Sequence, residues 1–200
     1  MIKPALQDDD FLADVQAARG ARGFRLWWLG QSGFLLQWQG RHLLFDPYLS
    51  DSLTRKYAAT DKPHVRLTER VVAPERLDFI DVVTSSHNHT DHLDGETLGP
   101  LLRANPKMNV IVPEANREFV VNRLKIMVEL PIGLDAGKFT SHAGFTIHGV
   151  PAAHETIERD ESGRCKFLGY VVEFGGWTIY HSGDTIRYEG MAEGLRRWQL

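Results

Sequence analysis

The sequence predicts a mixed α/β (α+β) fold, and three observations support this prediction. Short apolar runs separated by glycines come early, strands alternate with helices in the middle, and a second β-rich stretch follows. The order helix, strands, helices and strands again predicts two sheets packed together with helices outside. Two hundred residues with 42% hydrophobic content can bury one core, so we expect a single domain over residues 1–200.

Local patterns predict each element in turn. Acidic residues at positions 8–10 and Gly20 frame a short amphipathic helix. Glycines 30, 33 and 40 then separate three strands of a hairpin meander, and Gly175-Gly176 indicates a later hairpin turn. The predicted strands are 24–29, 34–38, 42–45, 79–84, 109–112, 138–140, 145–150, 167–174 and 177–180, and the later helices are 97–104, 114–126 and 188–198.

Composition argues against several classes of protein. The formal net charge of −3 provides no basic footprint for nucleic acid, and no apolar run is long enough to span a bilayer. The single cysteine, Cys165, excludes an internal disulfide, fits a reducing compartment and is most simply a buried or incidental thiol. We therefore expect a cytoplasmic protein with a small-molecule substrate and no stable membrane insertion, for which homo-oligomerisation stays open.

Residues 85–94 concentrate metal-binding side chains where the strand 79–84 ends. His87 and His89 alternate in an extended segment, so both can reach one ion, while Asp91 and His92 follow at the turn and can face a second. Imidazole and carboxylate together suit zinc, manganese or iron. The alternative is a polar loop whose histidines cap the next helix. Three histidines and an aspartate within six residues favour metal binding.

Three further polar residues follow predicted strands. His154 comes just after the strand 145–150, and Asp184 just after the strand 177–180. A third imidazole and a bridging carboxylate are what two ions would still need. Asp46 closes the strand 42–45, where it either hydrogen-bonds a ligating imidazole from behind or serves as a turn residue before Pro47. The residues alone leave both interpretations of Asp46 open.

Residues 48–76 form a long polar segment without clear periodicity. Its cationic and aromatic side chains include Arg55, Lys56 and Tyr57, which are candidates for substrate binding. One interpretation is a solvated surface loop. The other is a lid over the active site that recognises an anionic substrate.

The hexapeptide His87-Asn88-His89-Thr90-Asp91-His92, the later His154 and the segment Ser182-Gly183-Asp184-Thr185 resemble the metallo-β-lactamase fold hydrolases. Residues 29–34 and 44–47 match the first strands of that family, and the resemblance covers about residues 24–190. Residues 86–94 and 180–184 look most like the ascorbate-6-phosphate lactonase-like branch. The N-acyl-phosphatidylethanolamine phospholipase D branch is similar in the same places.

This resemblance implies an αββα sandwich with a binuclear metal site at the edge between its sheets. Carried over by position, the first ion is bound by His87, His89 and His154, the second by Asp91 and His92, with Asp184 bridging and Asp46 supporting a ligand from behind. Two divalent ions, zinc or manganese before iron, generate a hydroxide near neutral pH. By the same resemblance, that hydroxide would attack an acyl or phosphoryl centre, and Asp91 could pass a proton to the leaving group.

One feature departs from the family pattern, which places a final histidine after the bridging aspartate. No histidine follows Asp184 in this sequence, so we expect a C-terminally truncated sandwich that lacks its last strands. His181 precedes Asp184 and is a further substrate-binding candidate, although a strand position would turn it away from the site. The expected function is a lactonase-like metal-dependent hydrolase of a small anionic ester, lactone or phosphoester. The alternatives are a phospholipase D-like phosphodiesterase of the same fold and a degenerate, non-catalytic metal-binding module.

Overall fold

The structure is a computed structural model that describes residues 1–198 and residue 200. The chain forms two compact units, and each is described by itself. The first unit contains Met1–Val83 and His89–Met108, and the second contains Thr84–Asn88 and Asn109–Leu200. The single domain over residues 1–200 stays a prediction.

The first unit is built on an antiparallel meander. Its elements are α1 (Asp8–Ala18), β1 (Phe24–Gly30), β2 (Gly33–Trp38), β3 (Arg41–Phe45), α2 (Ser52–Tyr57), β4 (Val82–Thr84, whose last residue belongs to the second unit) and α3 (Gly95–Ala104). Leu36 of β2 lies opposite Leu26 of β1 and Leu43 of β3. Gln39 and Gly40 both have positive φ, as the tight turn between β2 and β3 requires. The predicted hairpin meander is confirmed.

The second unit combines a parallel strand pair with an antiparallel sheet. Its elements are β5 (Asn109–Pro113), α4 (Arg117–Leu124), β6 (Pro131–Leu134), β7 (Phe139–His142), β8 (Phe145–Pro151), β9 (Leu168–Phe174), β10 (Trp177–His181) and α5 (Met191–Leu195). Strands β5 and β6 are parallel, whereas the four-stranded sheet has the order β10-β9-β8-β7. Gly175 and Gly176 have positive φ between β9 and β10, which confirms the predicted hairpin turn.

Strand β4 is shorter than predicted. The pattern predicts a strand over residues 79–84, whereas the structure has only Val82–Thr84. Before it, the Ile80 amide donates to Asn105 Oδ1 at 2.8 Å, and the Asp81 amide donates to the His42 carbonyl at 3.0 Å. The Ile80 amide thus donates to the side chain of Asn105 and not to the backbone of a neighbouring strand.

Two helix predictions and one omission are also corrected. The helix predicted over residues 114–126 begins as a 3-10 turn and is α-helical only over α4, because Lys125 takes a left-handed conformation with φ 53°. The helix predicted over residues 188–198 is reduced to α5. Strand β6 was not predicted, since its four residues are defined by parallel pairing with β5, about twenty residues earlier in the chain.

The interpretation of residues 48–76 as a solvated surface loop is wrong in two respects. The segment contains α2, and its Arg66 is buried with 4% of its surface exposed. Arg66 Nη1 donates to the carbonyl oxygens of Tyr48 at 3.2 Å and Ser50 at 2.7 Å, and burial lowers the pKa of its guanidinium. This arginine therefore holds the chain that follows β3.

Candidate metal centre

The loop of residues 85–94 is fixed at both ends by backbone hydrogen bonds. In the second unit, the Ser85 amide donates to the Ile111 carbonyl of β5 at 3.0 Å. In the first unit, the Leu93 amide donates to the His89 carbonyl at 2.8 Å, which closes a turn. Asp94 is the N-cap of α3 and accepts from the Glu96 amide, as a residue in that position is expected to do. The histidines thus lie on a short, anchored connection.

Three of the predicted ligands form a group in the second unit, which we call the His87 group: His87, His154 and Asp184. Nε2 of His87, a residue with 1% of its surface exposed, lies 3.9 Å from Asp184 Oδ2. The His87 and His154 rings have centroids 6.1 Å apart. His154 follows β8 and Asp184 follows β10, so the two strand exits that the sequence singled out do meet.

Backbone contacts hold these strand exits together. The Ile186 amide donates to the Ala153 carbonyl at 2.7 Å, and the Ala153 amide donates to Thr185 Oγ1 at 2.9 Å. The Leu168 amide at the start of β9 donates to the Ser86 carbonyl at 3.0 Å. Each of these bonds is made by a residue adjacent in sequence to a member of the His87 group, and the bond therefore helps to position that member.

Two side chains that the sequence analysis missed orient the imidazoles. Ser86 Oγ lies 3.0 Å from His87 Nδ1, so the other ring nitrogen of His87 is the one that faces Asp184. The Phe167 ring lies 4.8 Å from that of His87 and 5.4 Å from that of His154, at interplanar angles of 33° and 34°. Ser86 directly precedes the motif, which is a local signal. Phe167 has no such signal, since only the fold brings it close to both rings.

A second donor group lies in the first unit and comprises Asp46, Asp91 and His92; we call it the His92 group. Asp46 Oδ2 lies 2.6 Å from His92 Nδ1, and both side chains have no exposed surface. His92 Nε2 lies 3.6 Å from Asp91 Oδ2, whose side chain is 26% exposed. Of the two interpretations of Asp46 left open by the sequence, this geometry matches the carboxylate that orients an imidazole from behind.

The first unit also contains His89 and three of the substrate-binding candidates. His89 is exposed and belongs to the first unit. The exposed Arg55 is paired with Glu96, whose hydrogen bond and charge raise the pKa of Arg55. Lys56 Nζ lies 5.1 Å from the centroid of the Tyr57 ring. The substrate-binding role of Arg55, Lys56 and Tyr57 stays a prediction.

His181 and Cys165 are both buried in the second unit. His181 ends β10 opposite Tyr170 of β9 and is 9% exposed, so its substrate-binding role also stays a prediction. Cys165 has no exposed surface, and burial raises the pKa of its thiol. This burial agrees with the expectation of a buried thiol at Cys165.

The donor set fits divalent metal ions. In both His87 and His92, Nδ1 lies against an oxygen of a neighbouring side chain, while Nε2 faces a carboxylate. Metal-binding imidazoles have this arrangement, in which one nitrogen is oriented by a hydrogen bond and the other faces the ion. Imidazole and carboxylate ligands suit zinc, manganese and iron alike.

Within residues 1–198 and 200, none of the helices has the length and apolar character needed to cross a bilayer.

Comparisons with known proteins identify relatives of this chain. The family described as "Beta-lactamase superfamily domain" matches residues 25–193. A UPF0173 metal-dependent hydrolase from Saccharolobus solfataricus is 28% identical over 171 residues, which cover 84% of this chain and 64% of the relative. The mitochondrial N-acyl-phosphatidylethanolamine-hydrolyzing phospholipase D of Saccharomyces cerevisiae is 28% identical over 163 residues, covering 79% of this chain and 33% of the relative.

A solved structure supports the fold class. CmlA, a diiron beta-hydroxylase from Streptomyces venezuelae, superimposes with a TM-score of 0.63 at 19% identity, over 90% of this chain and 33% of that protein. This likeness concerns the fold alone, and it confirms the predicted mixed α/β class. The chain spans 64% of the length of the Saccharolobus relative.

Proposed function

The chain belongs to the beta-lactamase superfamily, and on that premise we propose that it is a metal-dependent hydrolase of a small anionic ester, lactone or phosphoester. One observation carries the proposal. Two buried histidines, His87 and His92, each have Nδ1 engaged by a side-chain oxygen and Nε2 directed at a carboxylate. Two such imidazoles in one six-residue motif support a binuclear site.

Each donor group would bind one divalent ion. The His87 group supplies two imidazoles and a carboxylate, and the His92 group supplies one imidazole and the carboxylate of Asp91. His89 is the remaining histidine of the hexapeptide, and its assignment to the first ion is what the family resemblance implies. Zinc or manganese is preferred over iron. When bound, the ions would acidify a water molecule and stabilise the oxyanion that develops on the substrate.

The protein's own residues have separate roles in this proposal. Ser86 and Asp46 hold His87 and His92 in the tautomer and orientation that present Nε2. Asp91 is the proposed catalytic proton donor, since its carboxylate is partly exposed and therefore accessible to a leaving group. Arg55 and Lys56 on the exposed helix α2 are the proposed source of positive charge for an anionic substrate.

Substrate class separates the main proposal from its alternatives. The name of the yeast relative supports a phospholipase D-like phosphodiesterase, whereas the lactonase-like branch stays a prediction from the motifs alone. A non-catalytic metal-binding module is the alternative from another class. It shares the ligands with the hydrolase but predicts no turnover of any ester or phosphoester.

The test combines metal content with hydrolysis. Protein purified without chelator is analysed for zinc, manganese and iron, and is then assayed with a γ-lactone, a p-nitrophenyl ester and bis(p-nitrophenyl) phosphate. The His154→Ala variant is expected to bind metal at least about 10-fold more weakly and to lose hydrolysis in proportion. His148→Ala is the matched control, since His148 lies on β8 and contacts Glu173 at 2.7 Å.

The outcomes distinguish the proposals. Loss of metal and of turnover in His154→Ala, with both retained in His148→Ala, supports the hydrolase, and the preferred probe identifies the bond cleaved. Metal binding without turnover of any probe favours the non-catalytic module. Unchanged metal content in His154→Ala contradicts the ligand assignment. His89→Ala, measured in the same way, tests whether that exposed histidine belongs to the set.

A further inference from the structure

The first unit contains a cavity of about 450 Å³ that the proposed hydrolysis does not use. Cavities of this size hold small organic ligands when their walls are mostly apolar and a few polar groups converge on them. The wall comes from the N-terminal segment, α1, β1 and the chain before β4. The lining residues are Ile2, Lys3, Pro4, Ala5, Leu6, Phe11, Leu26, Trp27, Trp28, Gly30, Thr68 and Val71.

One wall is a strap formed by residues 2–8. The Ile2 amide donates to the Leu67 carbonyl at 2.7 Å, and the Glu69 amide donates to the Ile2 carbonyl at 3.0 Å. At the other end, the Asp8 amide donates to the Val71 carbonyl at 2.8 Å. Since both ends of the strap are anchored, the lining residues between them form a defined boundary of the cavity.

The two tryptophans present apolar surfaces. Trp27 Nε1 donates to Asp14 Oδ2 at 2.8 Å, and Trp28 Nε1 donates to the Gln31 carbonyl at 2.8 Å. Both indole N–H groups therefore have partners, and the rings offer hydrocarbon contact to a ligand. Phe11 and Leu26 also line the cavity and add apolar surface. This part of the cavity matches an alkyl chain or another flexible apolar group.

The polar groups at the cavity favour an anion. Lys3 and Thr68 line it, and none of the twelve lining residues named above carries a carboxylate. A Cβ atom on Gly30, another lining residue, would lie 2.8 Å from Thr68 Oγ1 and 3.5 Å from Arg66 Nη2. Arg66 is 4% exposed, and its Nη2 has no hydrogen-bond partner among the described residues. A buried guanidinium with an unused N–H group is costly unless an acceptor reaches it.

We propose that this cavity binds a medium-chain monocarboxylate, a flexible acid of about ten carbons whose volume suits a cavity of this size. The alkyl chain packs against Trp27, Trp28 and Leu26. The carboxylate lies toward Thr68, in the field of Lys3 and of the buried Arg66. The site belongs to the first unit alone, and the proposal is independent of metal binding.

The test is a titration of the full chain, in the presence of EDTA, with decanoate below its micellar concentration. Tryptophan fluorescence reports on the cavity through Trp27 and Trp28, and calorimetry measures the stoichiometry. Decanol and decyltrimethylammonium have the same chain with a neutral and a cationic head. We expect saturable binding of one decanoate per chain, at least about five-fold tighter than decanol, and no saturable binding of the cation.

Two pairs of variants locate the site. Leu26→Glu places a carboxylate in the apolar wall and is expected to abolish decanoate binding, whereas Leu67→Glu, at an exposed position outside the lining, leaves it unchanged. Lys3→Gln weakens decanoate about five-fold without affecting decanol, and Lys107→Gln, an exposed lysine elsewhere in the first unit, has no effect.

Several results overturn the proposal. Equal affinity for decanoate and decanol would contradict the proposed preference for an anion. Unchanged decanoate binding by Leu26→Glu would contradict the proposed location of the site. Absence of saturable decanoate binding removes the site itself. Since EDTA is present throughout, none of these results depends on whether the proposed hydrolase function holds.

Discussion

Replacing Asp46 by asparagine tests how far the proposed metal site depends on a carboxylate that we place behind a metal-binding imidazole. Asp46 adopts a left-handed backbone conformation with φ 39°. Apart from glycine, aspartate and asparagine are among the residues that tolerate this conformation best. The Asp46→Asn variant therefore keeps the backbone and the side-chain volume, and removes only the negative charge opposite His92 Nδ1. Alanine would remove the contact too, but would add backbone strain at this position.

The expected magnitude follows from burial and distance. The Asp46 and His92 side chains have no exposed surface, and the contact of 2.6 Å is short enough for a charge-assisted hydrogen bond. Loss of a carboxylate behind a ligating histidine typically weakens metal binding about 10- to 100-fold. At about 1.4 kcal/mol for each factor of ten, this corresponds to about 1.4–2.8 kcal/mol of metal-binding free energy.

The assay is a competition between the protein and a chromogenic chelator for Zn²⁺, with urea unfolding of the metal-free protein as a check on folding. Asp81→Asn is the matched control, because Asp81 is also a carboxylate of the first unit and its Oδ2 accepts from the backbone amide of His42 at 2.8 Å. We expect weaker zinc binding in Asp46→Asn alone. Equal zinc affinity in Asp46→Asn and the unmodified protein would refute the supporting role of Asp46.

Two further predictions concern stability. Burial, followed by the charge of Arg19, lowers the pKa of His42 from 6.5 to about 4. Between pH 6.5 and 4 the unfolded chain therefore binds a proton at His42 that the folded chain does not, and the free energy of unfolding falls by up to about 3 kcal/mol over this range. The His42→Leu variant should flatten this part of the pH profile measured by urea unfolding. An unchanged slope would contradict the lowered pKa of His42. Gly183 has φ 56°, and a Cβ atom added there would lie 2.7 Å from Ser86 Cβ, whereas a Cβ atom on Gly176 would have nothing within 4 Å. Gly183→Ala should therefore lower the free energy of unfolding by about 1–3 kcal/mol more than Gly176→Ala does. Equal unfolding free energies for the two glycine variants would show that close approach to Ser86 is unimportant.

Local patterns predicted most elements because neighbouring residues decide them. The meander of β1, β2 and β3 follows from apolar runs interrupted by glycines, and Gly175-Gly176 has the positive φ angles that its dipeptide indicates. Strand β6 shows the limit of this approach. Its four residues are a strand through parallel pairing with β5, and a parallel partner leaves no turn signal in the sequence.

Residue type and short-range spacing were enough to predict the histidine-rich motif, the strand exits at His154 and Asp184 and the mixed α/β class. The nitrogen of His92 that faces a carboxylate could be identified only from the folded structure, because Asp46, which contacts the other nitrogen, lies 46 positions away in the chain. The same holds for Phe167 against His87 and for the burial of Arg66. Such contacts depend on how whole elements pack, and local sequence patterns do not predict which side chains far apart in the chain will meet.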